Sequence, residues 1–326
     1  MKPTDLRNLL AAAGPTAVRV GVSVAVPLLV VLALGHPRWS VYAAFGAFTS
    51  LYGRNHVHLS RLVMQASAGA ALVSCVVLGV LVGAHPQRAW LAVVVAALVA
   101  GAGNLIASAE DWHPPGPLFL LFAFGAVSSA PHRIADLPAA AGVAAASAGF
   151  ALLLGNATAK MRKPRDPRRA RLRPDLGSSA RYGIAALLAG AAATAFGIGH
   201  SYWATLAAVA PLSVPGTNAQ LVRVWHRIAG TLAGLVVAAA VLAPGFGPYP
   251  SVLILVLLQV ITELVIGRHY GLAMVAITPM ALLMSQVAAP RPVGPLLWDR
   301  GIETAVGAAV ASVVILVSWW WPRQGN

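Results

Sequence analysis

The sequence predicts an all-α, polytopic integral membrane protein of about 12 transmembrane helices, arranged as two parallel six-helix repeats. Three observations predict it. Hydrophobic residues make up 58% of the 326-residue chain and charged residues only 10%, whereas soluble domains carry about a quarter charged residues. The apolar residues fall into stretches of roughly 14 to 22, the length that crosses a bilayer as a helix. A dense basic block splits these stretches into two sets of six, and the two sets echo each other. With a mean hydropathy of +0.76, a water-soluble core of this size is excluded.

In chain order, the spans of the first half are expected near 17–35, 39–53, 62–83, 89–108, 117–130 and 137–156. Those of the second half are expected near 180–199, 202–215, 228–243, 250–267, 271–289 and 301–321. The second, fifth and eighth, at roughly 14 residues, are too short for a simple crossing and read as tilted, broken or re-entrant. Lys2 and Arg7 precede apolar residues, but Gly14-Pro15 and Arg19 interrupt the stretch and no cleavage signature follows. The first segment is therefore read as uncleaved. The chain divides into a first repeat at 1–158, a basic linker at 159–179 and a second repeat at 180–326.

A net charge of +14 would point to nucleic acid in a soluble protein. Here eight of the 23 Lys and Arg residues lie between Lys160 and Arg173, in the linker. A cytoplasmic loop beside anionic lipid headgroups accounts for them better than nucleic acid does. Placing the linker inside puts 18 basic residues inside and five outside, the five being Arg38, Arg88, Arg133, Arg291 and Arg300. Without the linker the ratio is still ten to five. The expected location is a bacterial cytoplasmic membrane, crossed many times, with both termini and the linker cytoplasmic.

The halves match at particular residues. Gly35-His36-Pro37-Arg38-Trp39 answers Gly199-His200-Ser201-Tyr202-Trp203, each at the mouth of a second segment. Arg19 and Arg61 flank Trp39 much as Arg181 and Arg227 flank Trp203, and Ala130-Pro131 answers Ala289-Pro290. Gly79-x-x-x-Gly83 and Gly230-x-x-x-Gly234 allow close helix approach.

The second half, from Arg181-Tyr182 through Tyr202-Trp203-Ala204 to Arg227-Ile228-Ala229-Gly230-Thr231-Leu232-Ala233-Gly234, resembles the FUSC family of fusaric acid resistance and aromatic acid exporters. Glu263, Tyr270 and Thr278-Pro279 continue the pattern. The first half matches more loosely: Arg38 precedes Trp39 where the pattern has Tyr, and Arg61 is followed by Gln65 and Gly69 without Gly-Thr. The resemblance implies efflux of organic or aromatic carboxylates, and a distant kinship with plant malate channels built from paired six-helix units.

An ionisable group in a span costs roughly 2.5–3.5 kcal/mol at mid-helix on insertion scales, so each asks for a reason. Arg19 and Arg181 sit at the inner ends of equivalent helices, either snorkelling to phosphates or drawing in an anion. Arg61, Arg223 and Arg227 raise the same choice, and Arg223 and Arg227 share a helical face. Trp39 and Trp203 either stack an aromatic ring or belong to the interfacial belt. Gln259 and Glu263 form a polar stripe that is either a proton-coupling site or a structural carboxylate paired with an Arg.

No metal is expected, because His36 and His200 are two distant ligands, and Cys75 is the one cysteine. No nucleotide-binding loop or nucleophile motif appears, so neither an enzyme nor a cofactor is expected. The expected function is transport, an exporter of small organic or aromatic carboxylate anions with proton coupling. The rivals are a passive organic-anion channel and a membrane scaffold holding a partner through the linker. Small organic anions and membrane lipids are the expected partners, nucleic acid is not, and the sequence leaves room for a homo-oligomer. In a Cys75→Ala background, single cysteines placed at Arg165 and Ser201 are expected to label from opposite sides of the membrane. Labelling from one side refutes the parallel repeat.

Overall fold

The computed structural model describes residues 3–53, 58–157 and 175–320, with side chains from residue 13 and, after the first break, from residue 61. Among the described residues there are twelve α-helices and no strands. They are α1 (Pro3–Ala33), α2 (Ser40–Ala47), α3 (His58–Gly83), α4 (Arg88–Ala109), α5 (Leu118–Ser128) and α6 (Leu137–Ala157). The second set is α7 (Leu176–Ala195), α8 (Tyr202–Val209), α9 (Thr217–Leu242), α10 (Pro248–Val265), α11 (Tyr270–Ala288) and α12 (Val293–Trp320). Eight of these, all but α2, α5, α7 and α8, contain a stretch long and apolar enough to cross a membrane. Their outer faces carry exposed Leu98, Leu153, Val236 and Leu253, which suits contact with lipid tails rather than water.

Most of the basic linker, Arg165 included, lies outside the described residues. Its last residues already belong to α7, which begins at Leu176 rather than 180, because the Asp175 carboxylate accepts the Ser178 N–H at 3.0 Å and caps the first turn. The other end of the chain shows a larger difference. The last helix starts at Val293, not 301, so Arg300 is a helix-interior residue and not part of an outer loop.

The short segments are short for a reason visible in their surroundings. Eight α-helical residues of α2 run into a four-residue 3-10 turn, Phe48–Leu51, and eight of α8 run into another, Ala210–Ser213. Seven of the eight residues of α2 and all eight of α8 are buried in protein. Each is preceded by a helix that ends on a glycine in the left-handed region, Gly35 (φ 77°) and Gly197 (φ 68°). The next residues, His36 and Ile198, donate N–H back to Val31 and Ala193 at 3.0 Å in both cases, closing the helix and turning the chain inward.

Around these two broken helices the long ones pack in pairs. Helix α3 lies against α5 and α6, and α9 lies against α11 and α12; α2 packs on α6, and α8 on α12. The most extensive contacts joining the sets are α4 against α7 and α1 against α10, with smaller ones of α5 against α8 and α2 against α11. Small residues bring the axes together. Gly79 and Gly83 of α3 face Val127 of α5 and Ala130 just after it, and Gly230 and Gly234 of α9 face Gly271, Met274 and Thr278 of α11.

A methyl group at Gly234 would stand 2.7 Å from Thr278 Cβ and 3.1 Å from the Met274 carbonyl oxygen. Gly234→Ala is therefore expected to cost roughly 1–3 kcal/mol through overpacking. At Gly142 of α6 nothing lies within 4 Å, so Gly142→Ala is expected to be neutral or slightly stabilising. Melting temperatures in detergent, compared between the two variants, check the contrast.

Candidate functional site

The broken helices leave a cavity of about 470 Å³ between the two sets. Its mouth is lined by loop residues at the linker end, among them His113 and Gly267, and its deep end by Trp203, Met280 and Arg300. One wall comes from the first set and is almost wholly apolar: Phe48, Leu51, Leu118, Phe119 and Phe122. The facing wall comes from the second set and carries Arg223, Arg227, Arg300, Gln259, Glu263 and Tyr270.

Helix α9 presents Arg223 and Arg227 one turn apart, where two like charges repel. Tyr270, at the start of α11, lies between them. The Arg223 guanidinium sits 4.1 Å over its ring and Arg227 Nη1 donates to its hydroxyl at 3.0 Å. Arg300 is held differently. Its guanidinium lies 3.9 Å over the Trp203 ring. It is 1% exposed, and none of its three nitrogens has a hydrogen-bond partner among the described residues. Glu263 is the acid on these walls, accepting from Gln259 Nε2 at 3.2 Å. Three guanidiniums facing one carboxylate make the cavity an anion-attracting space with an apolar side.

The deep end is closed by rings. Trp203 stands 4.7 Å from Tyr202 and 5.0 Å from Phe122, and Tyr202 stacks at 6.4 Å on Phe122. Beyond them, at the opposite end of the bundle, a second hollow of about 270 Å³ is lined by Arg88, Ser129, Gly199, His200 and Tyr202. There the Arg291 guanidinium donates to His200 Nε2, and His200 Nδ1 lies 3.9 Å from Asp299.

The structure thus brings five of the residues singled out in sequence, Trp203, Arg223, Arg227, Gln259 and Glu263, around one cavity. The other four are not on its walls. Arg19 is buried on α1, and Arg61 of α3 donates from Nη1 to the Gly155 carbonyl at 3.3 Å. Arg181 of α7 donates from Nη2 to Gln220 Oε1 at 3.3 Å. Trp39 stacks on His36 with ring centroids 3.9 Å apart, half-buried at the end opposite the linker. Trp203, by contrast, is buried and belongs to no interfacial belt.

Arg300 and Glu303 escaped the sequence reading because Arg300 was counted with the outer loop. Pro295 and the apolar residues from Val293 to Trp298 were the available signal that the last helix starts earlier.

Residues 187–314 match the family described as fusaric acid resistance protein-like. The matched stretch contains every charged residue of the cavity's cationic wall, from Arg223 to Arg300. The chain is also 32% identical over 149 residues to an uncharacterized membrane protein, YvaC, of Bacillus subtilis (strain 168). That alignment covers 45% of this chain and 23% of the relative, so the chain spans about a quarter of that protein's length. No solved structure matches the chain. With eight helices long and apolar enough to cross a membrane among its described residues, the protein is a multi-span membrane protein.

Burial, and then the Arg291 charge, push the His200 pKa down to about 4, although Asp299 works the other way. An unfolded His titrates near 6.5, so between about pH 6.5 and 4 the unfolded chain binds the extra proton and the folded protein does not. The folded state is therefore expected to lose stability as pH falls through that window. Thermal melts of wild type and His200→Asn across it check the sign: the wild type should fall relative to the variant.

Proposed function

We propose that the protein carries small organic anions, aromatic or otherwise apolar carboxylates, across the bacterial cytoplasmic membrane through the cavity between its two halves. The observation that carries this reading is the Arg300 guanidinium, buried against Trp203 on the cavity wall with every nitrogen lacking an acceptor among the described residues. A carboxylate satisfies such a fork with two parallel hydrogen bonds. The facing aromatic wall suits an apolar body attached to that carboxylate, and 470 Å³ is ample for a single ring.

Carrier action is favoured over an open channel by the ring cluster of Phe122, Tyr202 and Trp203, which separates the cavity from the hollow at the opposite end. The two-repeat arrangement belongs to the same reading. It is supported by the correspondence of helix pairs: α3 with α5 as α9 with α11, α2 with α6 as α8 with α12, and α4 with α7 as α10 with α1. The linker and both termini lie on the cytoplasmic side in this proposal, which makes the cavity mouth cytoplasmic.

Proteoliposomes given an outward benzoate gradient, with protein-free vesicles as baseline, test the reading. Arg227→Gln removes a charge-assisted bond worth about 1.5–3 kcal/mol, so transport should fall about ten- to hundredfold with folding kept. Arg227→Lys should recover little of it, because an ammonium lacks the planar fork. Wild-type rates in both variants refute the anion site.

A further inference from the structure

Arg300 and Glu303 lie three residues apart in the first half of α12, both buried in the helix bundle. Glu303 is 0% exposed, and both its oxygens, like all three nitrogens of Arg300, lack a hydrogen-bond partner among the described residues. The His200 backbone N–H approaches the carboxylate without meeting hydrogen-bond geometry. Arg300 faces the cavity, while Glu303 is not on its walls. The groups around Glu303 are Arg300 and Asp299 on its own helix, with His200 and Tyr202 at the start of α8. Behind Arg300 stand Arg227 of α9 and Tyr270 of α11, and Arg291 is occupied with His200. Of the cations nearby, Arg300 is the one whose charge acts on Glu303.

One guanidinium therefore has two anion positions, a carboxylate behind it and the cavity in front. An ionised carboxylate buried without donors or a counter-charge is costly in this setting. The arrangement seen here, with the guanidinium 3.9 Å over the Trp203 ring and facing the cavity, is the one that receives an anion from the cavity. An anion that takes Arg300 leaves Glu303 with no cation, and a proton then replaces the lost charge.

We infer that Glu303 is the proton-coupling residue of this protein: it takes up one proton when an organic carboxylate binds Arg300 and releases it when the anion leaves. This rests on the anion-carrier reading. A proton and a monoanion moving together carry no net charge, so the pH gradient, and not the membrane potential, drives the cycle. Glu263, the acid first singled out for this role, lines the cavity itself and accepts from Gln259 Nε2.

Calorimetric titration of the purified full-length protein with sodium benzoate, in buffers of different ionisation enthalpy, counts the protons taken up per anion bound. The wild type should take up about one proton, and Glu303→Gln about none, while binding benzoate with an affinity that no longer varies with pH. Glu263→Gln should keep the count near one whatever it does to affinity. Equal proton uptake by wild type and Glu303→Gln overturns the inference. Should Glu303→Gln fail to fold, a wild type that binds benzoate without proton uptake anywhere between about pH 5 and 9 overturns it equally. A wild type that binds no benzoate refutes the anion site itself, which is a separate failure.

Discussion

In a bilayer every backbone N–H and C=O must find its partner within the protein, and this constraint shapes the rest of the molecule. Eight α-helical residues and four of 3-10 helix reach only about 20 Å, against a hydrocarbon thickness of about 30 Å. Helices α2 and α8 can therefore exist only inside a jacket of longer helices, and both are buried in one. Because α8 starts at the end opposite the linker and stops short, roughly 10 Å of depth remains at the linker end. The cavity opens there, floored by the aromatic residues of the two broken helices and α5.

The same enclosure makes the arginines tolerable. Arg223 and Arg227 would repel across one turn, but Tyr270 offers a ring face to the first and a hydroxyl to the second. Arg300 has the face of Trp203 and the nearby charge of Glu303, neither of which uses an N–H. Among the described residues Arg300 thus has the most buried nitrogens without a hydrogen-bond partner of the three cavity arginines. Arg61 and Arg181 are tied to a carbonyl and to an amide side chain, and neither lines the cavity.

The class and the broken segments were legible in the sequence because both are written in local patterns. Apolar run length separates spanning helices from short ones, and Gly35 and Gly197 mark the turns that lead into α2 and α8. Arg223, Arg227 and Glu263 stood out because charge is rare in such runs. Arg300 did not, since a charge near the end of a run looks like loop until the helix is known to start at Val293. The aromatic wall was illegible for a deeper reason. Phe48, Phe119 and Phe122 have no local signal distinguishing them from ordinary core, and only the meeting of α5 with α8 turns them toward a cavity. Trp112 illustrates the converse: it follows Glu110 and Asp111 in a connecting loop, yet it is buried and its indole N–H donates to Ser67 Oγ at 3.1 Å.

The two halves contribute unequal chemistry to one space. The first set supplies ring faces and leucines to the cavity; the second supplies its three guanidiniums and its carboxylate. A site with two cationic walls would hold a dianion rigidly across the gap, and one with two apolar walls would favour the neutral acid. One wall of each kind favours a molecule with a single charged end and a single apolar body. For the proposed substrate it also sets which end goes where, the carboxylate toward the second half. Any tilt of one set against the other then changes the two contacts separately, since the charged end travels with α9 and α12 while the apolar body can slide along Phe119 and Phe122. For the proposed carrier this is a physical route to release, because the sliding contact is non-directional and the guanidinium contact is not.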